Sequence, residues 1–175
     1  MRSMMRRITV LFACAFITVC LASCALFGGA PKTFSKAGMS ITLTSQFVEK
    51  EYVTQTACYE SPSVIVFALK EEFSMAPGVS GWSLSKYAST TISVNNLDCE
   101  YEISESGYAY FEYEKELSGN QYAYLATCYK GEDSFWLIQF ACFTKNYKQY
   151  KEQMIKYAER VTFGTDASLE SGATK

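Results

Sequence analysis

The sequence predicts an α+β fold, an antiparallel β-sheet flanked by helices, on three observations. Four runs of strand length, residues 99–103, 108–117, 121–130 and 134–143, follow one another with only short turn-forming segments between them, as consecutive hairpins require. Two other stretches change to helical spacing, one after Ser83 and one after Thr144. Thirteen tyrosines and twelve phenylalanines make the composition aromatic and strand-prone. A run of sequential strands with helices set apart from it predicts a sheet with helices packed on it, rather than alternating βαβ units.

Taken in order, Ile41, Leu43 and Phe47 mark a strand over 39–47, and 52–59 supplies a second. After Ser61-Pro62-Ser63, residues 64–69 form a continuous apolar run closed by Lys70-Glu71-Glu72. A strand polar on neither side belongs in the middle of a sheet with both faces covered. Residues 75–82 contain Pro77, Gly78 and Gly81 and predict a loop. Ser83 then suits an N-cap, followed by Leu84, Tyr87, Ala88, Thr91 and Ile92 at helical spacing, with Asn95-Asn96 as the stop. Turns are expected at 104–107, Gly119-Asn120 and 131–133. Thr144 is the expected cap of the last helix, whose Tyr147, Tyr150, Met154, Tyr157, Ala158 and Val161 share one stripe. The polar residues 166–175 read as a disordered tail.

The start of the chain is of a different kind. Arg2, Arg6 and Arg7 precede a 15-residue apolar stretch, Ile8 to Ala22, that ends in Leu21-Ala22-Ser23-Cys24. This resembles a bacterial lipoprotein signal peptide, with a basic n-region, an apolar h-region and small residues at the cleavage site. A membrane-spanning helix needs about 20 apolar residues, and this run is shorter. The resemblance implies that residues 1–23 are removed, that the Cys24 thiol receives diacylglycerol, and that its freed amine is acylated in turn, by a chain such as palmitate. Two or more acyl chains anchor stably where one would not. Residues 24–38, with Gly28-Gly29 and Pro31, then read as a lipid-anchored tether, and 39–165 as the folded domain.

Removing 23 of 175 residues leaves 152, the ordinary size of one domain. The removed segment carries three arginines and no acids, so a net charge of −2 becomes −5. That balance argues against nucleic acid or anionic lipid as a main partner, since both are gripped by clustered Lys and Arg. Histidine is absent, which removes the commonest general base and metal ligand. No Gly-x-Ser-x-Gly elbow, Gly-x-Gly-x-x-Gly turn or phosphate loop is present. Cys58, Cys99, Cys128 and Cys142 remain in the mature chain with no Cys-x-x-Cys pair among them. Buried free thiols are the favoured reading, and only a bridge involving Cys58 stays open on strand geometry.

The element order resembles the PsbP-like superfamily, which includes bacterial DcrB-type lipoproteins. The residues that carry the resemblance are the Ser83-Leu84-Ser85-Lys86-Tyr87-Ala88 helix start, the Tyr110-Phe111-Glu112-Tyr113-Glu114 strand, the strand from Phe135 to Ala141 and the Tyr-rich closing helix, within residues 39–163. It implies an α/β/α sandwich that binds or stabilises partners and has no shared catalytic site.

Hairpin geometry assigns side chains to faces. A three-residue turn at 131–133 sets Lys130 opposite Ser134, so Tyr124, Ala126, Cys128, Trp136, Ile138, Phe140 and Cys142 share the core face. The opposite face then carries Glu100, Glu102, Glu112, Glu114 and Glu116 beside Thr127, Tyr129 and Gln139. Such carboxylates suit a hard cation or a basic partner, but no Asp-x-Asp-x-Asp-Gly loop accompanies them and no metal site is assigned. If the cluster is covered, Lys115 or a helix lysine must lie beside it, because like charges facing one another cost stability. The loop residues Met75, Val79 and Trp82 are a candidate contact patch, with Trp82 also suited to stapling the helix that follows. The expectation is a non-catalytic, extracytoplasmic binding or accessory module of the cell envelope. It needs no cofactor, is held to the membrane through lipidated Cys24, and takes an envelope protein or small ligand as partner. A carboxylate-dependent hydrolase of envelope material and a metal- or stress-sensing surface lipoprotein are the alternatives.

Overall fold

The hairpin periodicity of the second half of the chain is realised as a seven-stranded antiparallel sheet in a computed structural model that describes residues 29–76 and 78–164. The elements are β1 (Pro31–Lys36), β2 (Met39–Thr44), β3 (Val48–Lys50), β4 (Ala57–Glu60), β5 (Ile65–Glu72), α1 (Leu84–Val94), β6 (Glu102–Ile103), β7 (Ala109–Leu117), β8 (Asn120–Lys130), β9 (Ser134–Phe143), α2 (Thr144–Ala158) and β10 (Val161–Phe163). The large sheet has the order β3-β4-β5-β9-β8-β7-β6, and a second sheet has the order β1-β2-β10. Helix α1 covers one face of the large sheet; α2 and the small sheet cover the other. This is the α+β sandwich expected, although the small sheet was not foreseen.

Two cores follow from the alternation of side chains along each strand. The larger lies under α2 and the small sheet, where Ile41, Leu43, Val66, Trp136, Phe140 and Met154 are buried. The smaller lies under α1 and joins Tyr87, Ala88, Phe111, Ala126, Cys128 and Phe135. Phe135 stacks on Tyr87 with centroids 4.2 Å apart and meets the edge of Phe73 at 5.3 Å. Such ring pairs contribute about 0.5–1.5 kcal/mol beyond the area they bury.

The β8–β9 hairpin corrects the expected register. Gly131 N–H donates to the Ser134 carbonyl at 2.9 Å, and Lys130 lies opposite Phe135. The turn therefore contains two residues, Glu132 and Asp133, not three. A register change of one residue sends every side chain of a strand to the other face. Trp136, Ile138, Phe140 and Cys142 accordingly share a face with Leu125, Thr127 and Tyr129, while Tyr124, Ala126 and Cys128 face α1 with Phe135 and Leu137. Thr127 and Tyr129, expected on a solvated face, are buried. The Thr127 hydroxyl donates to the Ile138 carbonyl at 3.1 Å, and the Tyr129 hydroxyl to the Ala158 carbonyl at 2.8 Å. Both polar tips are thus satisfied where burial would otherwise penalise them.

The β7–β8 turn is Ser118-Gly119, with φ of 51° and 77°, not Gly119-Asn120. Two consecutive positive φ angles define the hairpin turn that favours Gly at its second position. This slip moves the pairing by two residues and leaves the faces unchanged.

Other bounds also move. Residues 31–36, expected within the tether over 24–38, instead form β1 and pair along their whole length with β2. The strand expected over 52–59 shrinks to β4, β3 forms ahead of it where no separate strand was expected, and that over 99–103 shrinks to β6. The run at 64–69 does lie in the interior of the sheet, as β5 between β4 and β9. Ser83 caps α1 by accepting from Lys86 N–H at 3.1 Å. Thr144, expected as a cap, is instead the first residue of α2, and its hydroxyl is buried without a partner. Val161 leaves the helix stripe and opens β10.

Removing the Tyr129 hydroxyl leaves the Ala158 carbonyl without its buried donor. Tyr129→Phe is expected to lose about 1–2 kcal/mol of stability, read as a lower urea midpoint at unchanged slope; an unchanged midpoint would show that this bond does not hold α2 to the sheet.

Candidate functional site

A cleft lies at one end of the sandwich, where β1 turns into β2, β8 turns into β9, and β5 and β10 finish. This cleft has a volume of about 720 Å³ and is lined by the Ala37-Gly38 turn, Lys70, the turn from Lys130 to Ser134, Trp136 and Phe163-Gly164. The walls are brought together by register. Lys70 pairs with Trp136, Glu72 with Ser134, and Gly164 N–H donates to the Gly38 carbonyl at 2.9 Å. Phe163 packs on Trp136 at 5.6 Å and on Tyr129 at 5.4 Å, which makes the floor aromatic.

Lys70 ends the apolar run of β5 and places its ammonium against this floor. Its Nζ lies 3.1 Å from Asp133 Oδ2 and 3.7 Å from Glu72 Oε1. The lysine side chain is 16% exposed and that of Asp133 70%, so the carboxylate is the partner that an incoming group can displace. The Ser134 hydroxyl donates to Asp133 Oδ1 at 2.8 Å. That bond first, and the Lys70 ammonium second, hold the Asp133 carboxyl below its ordinary value. An anionic group entering the cleft can take the place of Asp133 on Lys70 and lie against Phe163. Lys130 braces the rim: its ammonium donates to the Ser80 and Trp82 carbonyls at 2.9 and 2.7 Å. The lysine reaches those carbonyls over the rings of Phe135 and Phe73, at 5.5 and 5.9 Å, a favourable cation–ring placement.

The five glutamates do not form one site. Glu112 lies under α2, accepting from the Tyr147 hydroxyl at 2.7 Å and pairing with Lys151 at 2.6 Å. Lys151 is the helix lysine that a covered cluster requires. Glu102 accepts from the Tyr110 hydroxyl at 2.6 Å, and this bond, with burial, pushes that phenol up to about 12. Glu116 accepts from Gln121 at 3.0 Å, Glu114 is exposed, and Glu100 is exposed outside any strand. Gln139 lies on the other face, donating to the Tyr113 hydroxyl at 2.7 Å. Among the described residues no three acid or thiol side chains converge to hold a metal ion.

The expected contact loop divides. Met75 is 82% exposed. Val79 and Trp82 pack against the core under α1, and the Lys86 ammonium lies 5.6 Å from the Trp82 ring centre. Trp82 is therefore a staple for α1. Leu21, Ala22, Ser23 and Cys24 lie outside the described residues, as does the tail at 166–175. Sequence reading missed Lys70, Asp133, Trp136 and Phe163 as a group, having taken Lys70 only as the end of a strand; β10, which supplies Phe163, is too short to show a period.

All four described cysteines are free thiols: Cys58, Cys128 and Cys142 are buried and Cys99 is half-buried. Cys128 and Cys142 face opposite sides of the large sheet. Burial pushes Cys58 and Cys142 up to about 11 and Cys128 to about 12. The unfolded chain releases such protons near pH 9, from the ordinary value of 9.0, whereas the folded chain holds them two or three units longer. The folded form binds more protons in that window, so stability falls as pH rises through it. The urea midpoint is expected to decline steadily between about pH 9 and 11, more shallowly in Cys128→Ala. An identical slope in the variant would remove this thiol from the account.

The fold so defined is PsbP-like. No family model and no curated protein matches the chain. Among solved structures it is similar to cyanobacterial PsbP (CyanoP) from Synechocystis sp. PCC 6803, with a TM-score of 0.55 and 9% identity, covering 80% of this chain and 96% of that one. It is also similar to a protein from Bacteroides thetaiotaomicron VPI-5482, with a TM-score of 0.50 and 13% identity, covering 79% of this chain and half of that one. At these identities the likeness establishes the fold alone.

Proposed function

We propose that the protein is a lipid-anchored, extracytoplasmic binding or accessory module of the bacterial envelope, presenting a PsbP-like domain just outside the membrane. The observation that carries this reading is the apolar run ending in Leu21-Ala22-Ser23-Cys24, set a few residues ahead of a folded domain that begins at Pro31. Among the described residues no helix is long and apolar enough to cross a membrane. The module is non-catalytic in this reading and engages an envelope protein or small ligand, for which the Lys70–Phe163 cleft is a candidate receptacle. A hydrolase needs two carboxylates held in different environments across a substrate. Glu112, tied to Lys151, and the exposed Glu114 and Glu116 do not offer such a pair.

In-cell crosslinking of the tagged, full-length protein, with Cys24→Ser as the mislocalised control, tests the reading. The wild type is expected to carry a lipid mass on Cys24 and to co-purify one envelope partner that the variant loses. A wild-type Cys24 without lipid, or partner recovery unaffected by Cys24→Ser, would contradict it.

A further inference from the structure

The cleft and the point where the chain enters the domain lie at opposite ends of the molecule. Ala30 is held by Ser45, whose N–H donates to its carbonyl at 2.7 Å. Ser45 is three residues ahead of Val48, and Val48 begins a row across the sheet: it pairs with Glu60, Glu60 with Ile65, Ile65 with Ala141, and Ala141 with Tyr124. This row lies near the end of β9 that closes in Phe143. The cleft lies at the other end, where β9 begins. Entry is also held tightly: Gly29 has φ of +125°, and a Cβ there would lie 2.7 Å from Ser45 Oγ. Only Gly tolerates both constraints.

The same end carries an exposed apolar rim. The β7–β8 hairpin projects beyond it, since the Leu117–Asn120 pair lies two residues past the Tyr122–Phe143 pair. Leu117 is 43% and Phe143 40% exposed. Tyr122 stacks on Phe143 at 4.9 Å, and the Lys145 ammonium lies 5.7 Å from the Phe143 ring centre. Lys115, which pairs with Tyr122, is exposed, as are Glu114 and Glu116 on the hairpin. Aromatic rings with lysines that extend past them are the side chains that rest in a headgroup layer. The cleft end exposes Glu71, Glu72, Glu132 and Asp133, together with Met75.

We infer that this end of the domain, with Leu117, Tyr122, Phe143 and Lys145, docks on the lipid headgroup layer and holds the cleft away from it. The inference rests on the lipid-anchor reading, which supplies its strongest constraint. Cys24 and Gly29 are five residues apart, and five residues span at most about 18 Å. A tether this short keeps the entry end at the bilayer surface. The length of β9 then sets the cleft roughly 30 Å above it, at about 3.4 Å per residue, where a soluble ligand or a second envelope protein has access.

The test uses the full, processed lipoprotein in vesicles of phosphatidylethanolamine and phosphatidylglycerol, with and without brominated acyl chains that quench tryptophan at short range. Trp136 lines the cleft and Trp82 is held by Lys130 at the same end, so native emission is expected to be the same in both vesicles. Phe143→Trp adds a reporter at the docking rim, and Leu117→Trp a second on the exposed hairpin in case the first variant folds poorly. A residue buried about 5–10 Å into the interface should lose roughly half its emission to the brominated chains. Lipidated protein that sediments with vesicles but whose added tryptophans are unquenched would overturn the docking and leave the anchor standing. Quenching of the native tryptophans would reverse the orientation and equally overturn it. Protein without lipid on Cys24 would remove the anchor and the docking together.

Discussion

The register of the β8–β9 hairpin is the constraint on which most of this structure depends. With Glu132 and Asp133 as a two-residue turn, Trp136, Ile138 and Phe140 point at α2 and the small sheet, and Phe135 and Leu137 point at α1. Each of the two cores takes its β9 residues from that choice. The buried hydroxyls of Thr127 and Tyr129 find carbonyl acceptors only in this arrangement. Desolvating a hydroxyl without a partner costs about 1–3 kcal/mol, so the register is set by polar satisfaction as well as by apolar burial.

The same turn builds the cleft. Asp133 and Ser134 stand beside Lys70 because β9 begins there, and Trp136 reaches Phe163 because it lies on the α2 face. Sequence, register and site are therefore linked: a one-residue longer turn would bury Phe135 in place of Trp136 and leave the cleft without its floor. The domain thus has two dissimilar ends. One receives the chain at Gly29 and exposes Leu117 and Phe143; the other forms the cleft and is acidic around it.

Much of the fold was legible in the sequence where a local signal was strong. Ser83 and the spacing from Leu84 to Ile92 marked α1, and the limits of β9 follow from Ser134 and Phe143 as expected. Two kinds of feature were not legible. Short strands such as β6 and β10 have too few residues to show alternation, and they exist because a neighbour offers free backbone groups. Turn length is the other, because Gly131, Glu132 and Asp133 are all turn formers and composition does not reveal how many of them leave the ladder. That single ambiguity put Gln139 on the face of Glu112, Thr127 and Tyr129 in place of Trp136, Ile138 and Phe140, so a face that α2 covers read as solvated. The cleft residues come from the β1–β2 turn, β5, the β8–β9 hairpin and the end of β10, and no spacing along the chain connects them.

The register is most directly tested by cross-strand contacts between Hα protons in β8 and β9, measured by NMR on isotope-labelled domain. Alternate pairs in an antiparallel ladder bring their α-carbons to about 4.5 Å, and counting from the bonded Gly131–Ser134 pair those close pairs include Cys128 with Leu137 and Ala126 with Gln139. Strong contacts between these protons are the predicted result. Contacts of Tyr129 with Phe135 and of Thr127 with Leu137, the close pairs counted from a bonded Lys130–Ser134 pair, would show the three-residue turn, exchange the two faces of β9 and contradict both the cores and the cleft described above.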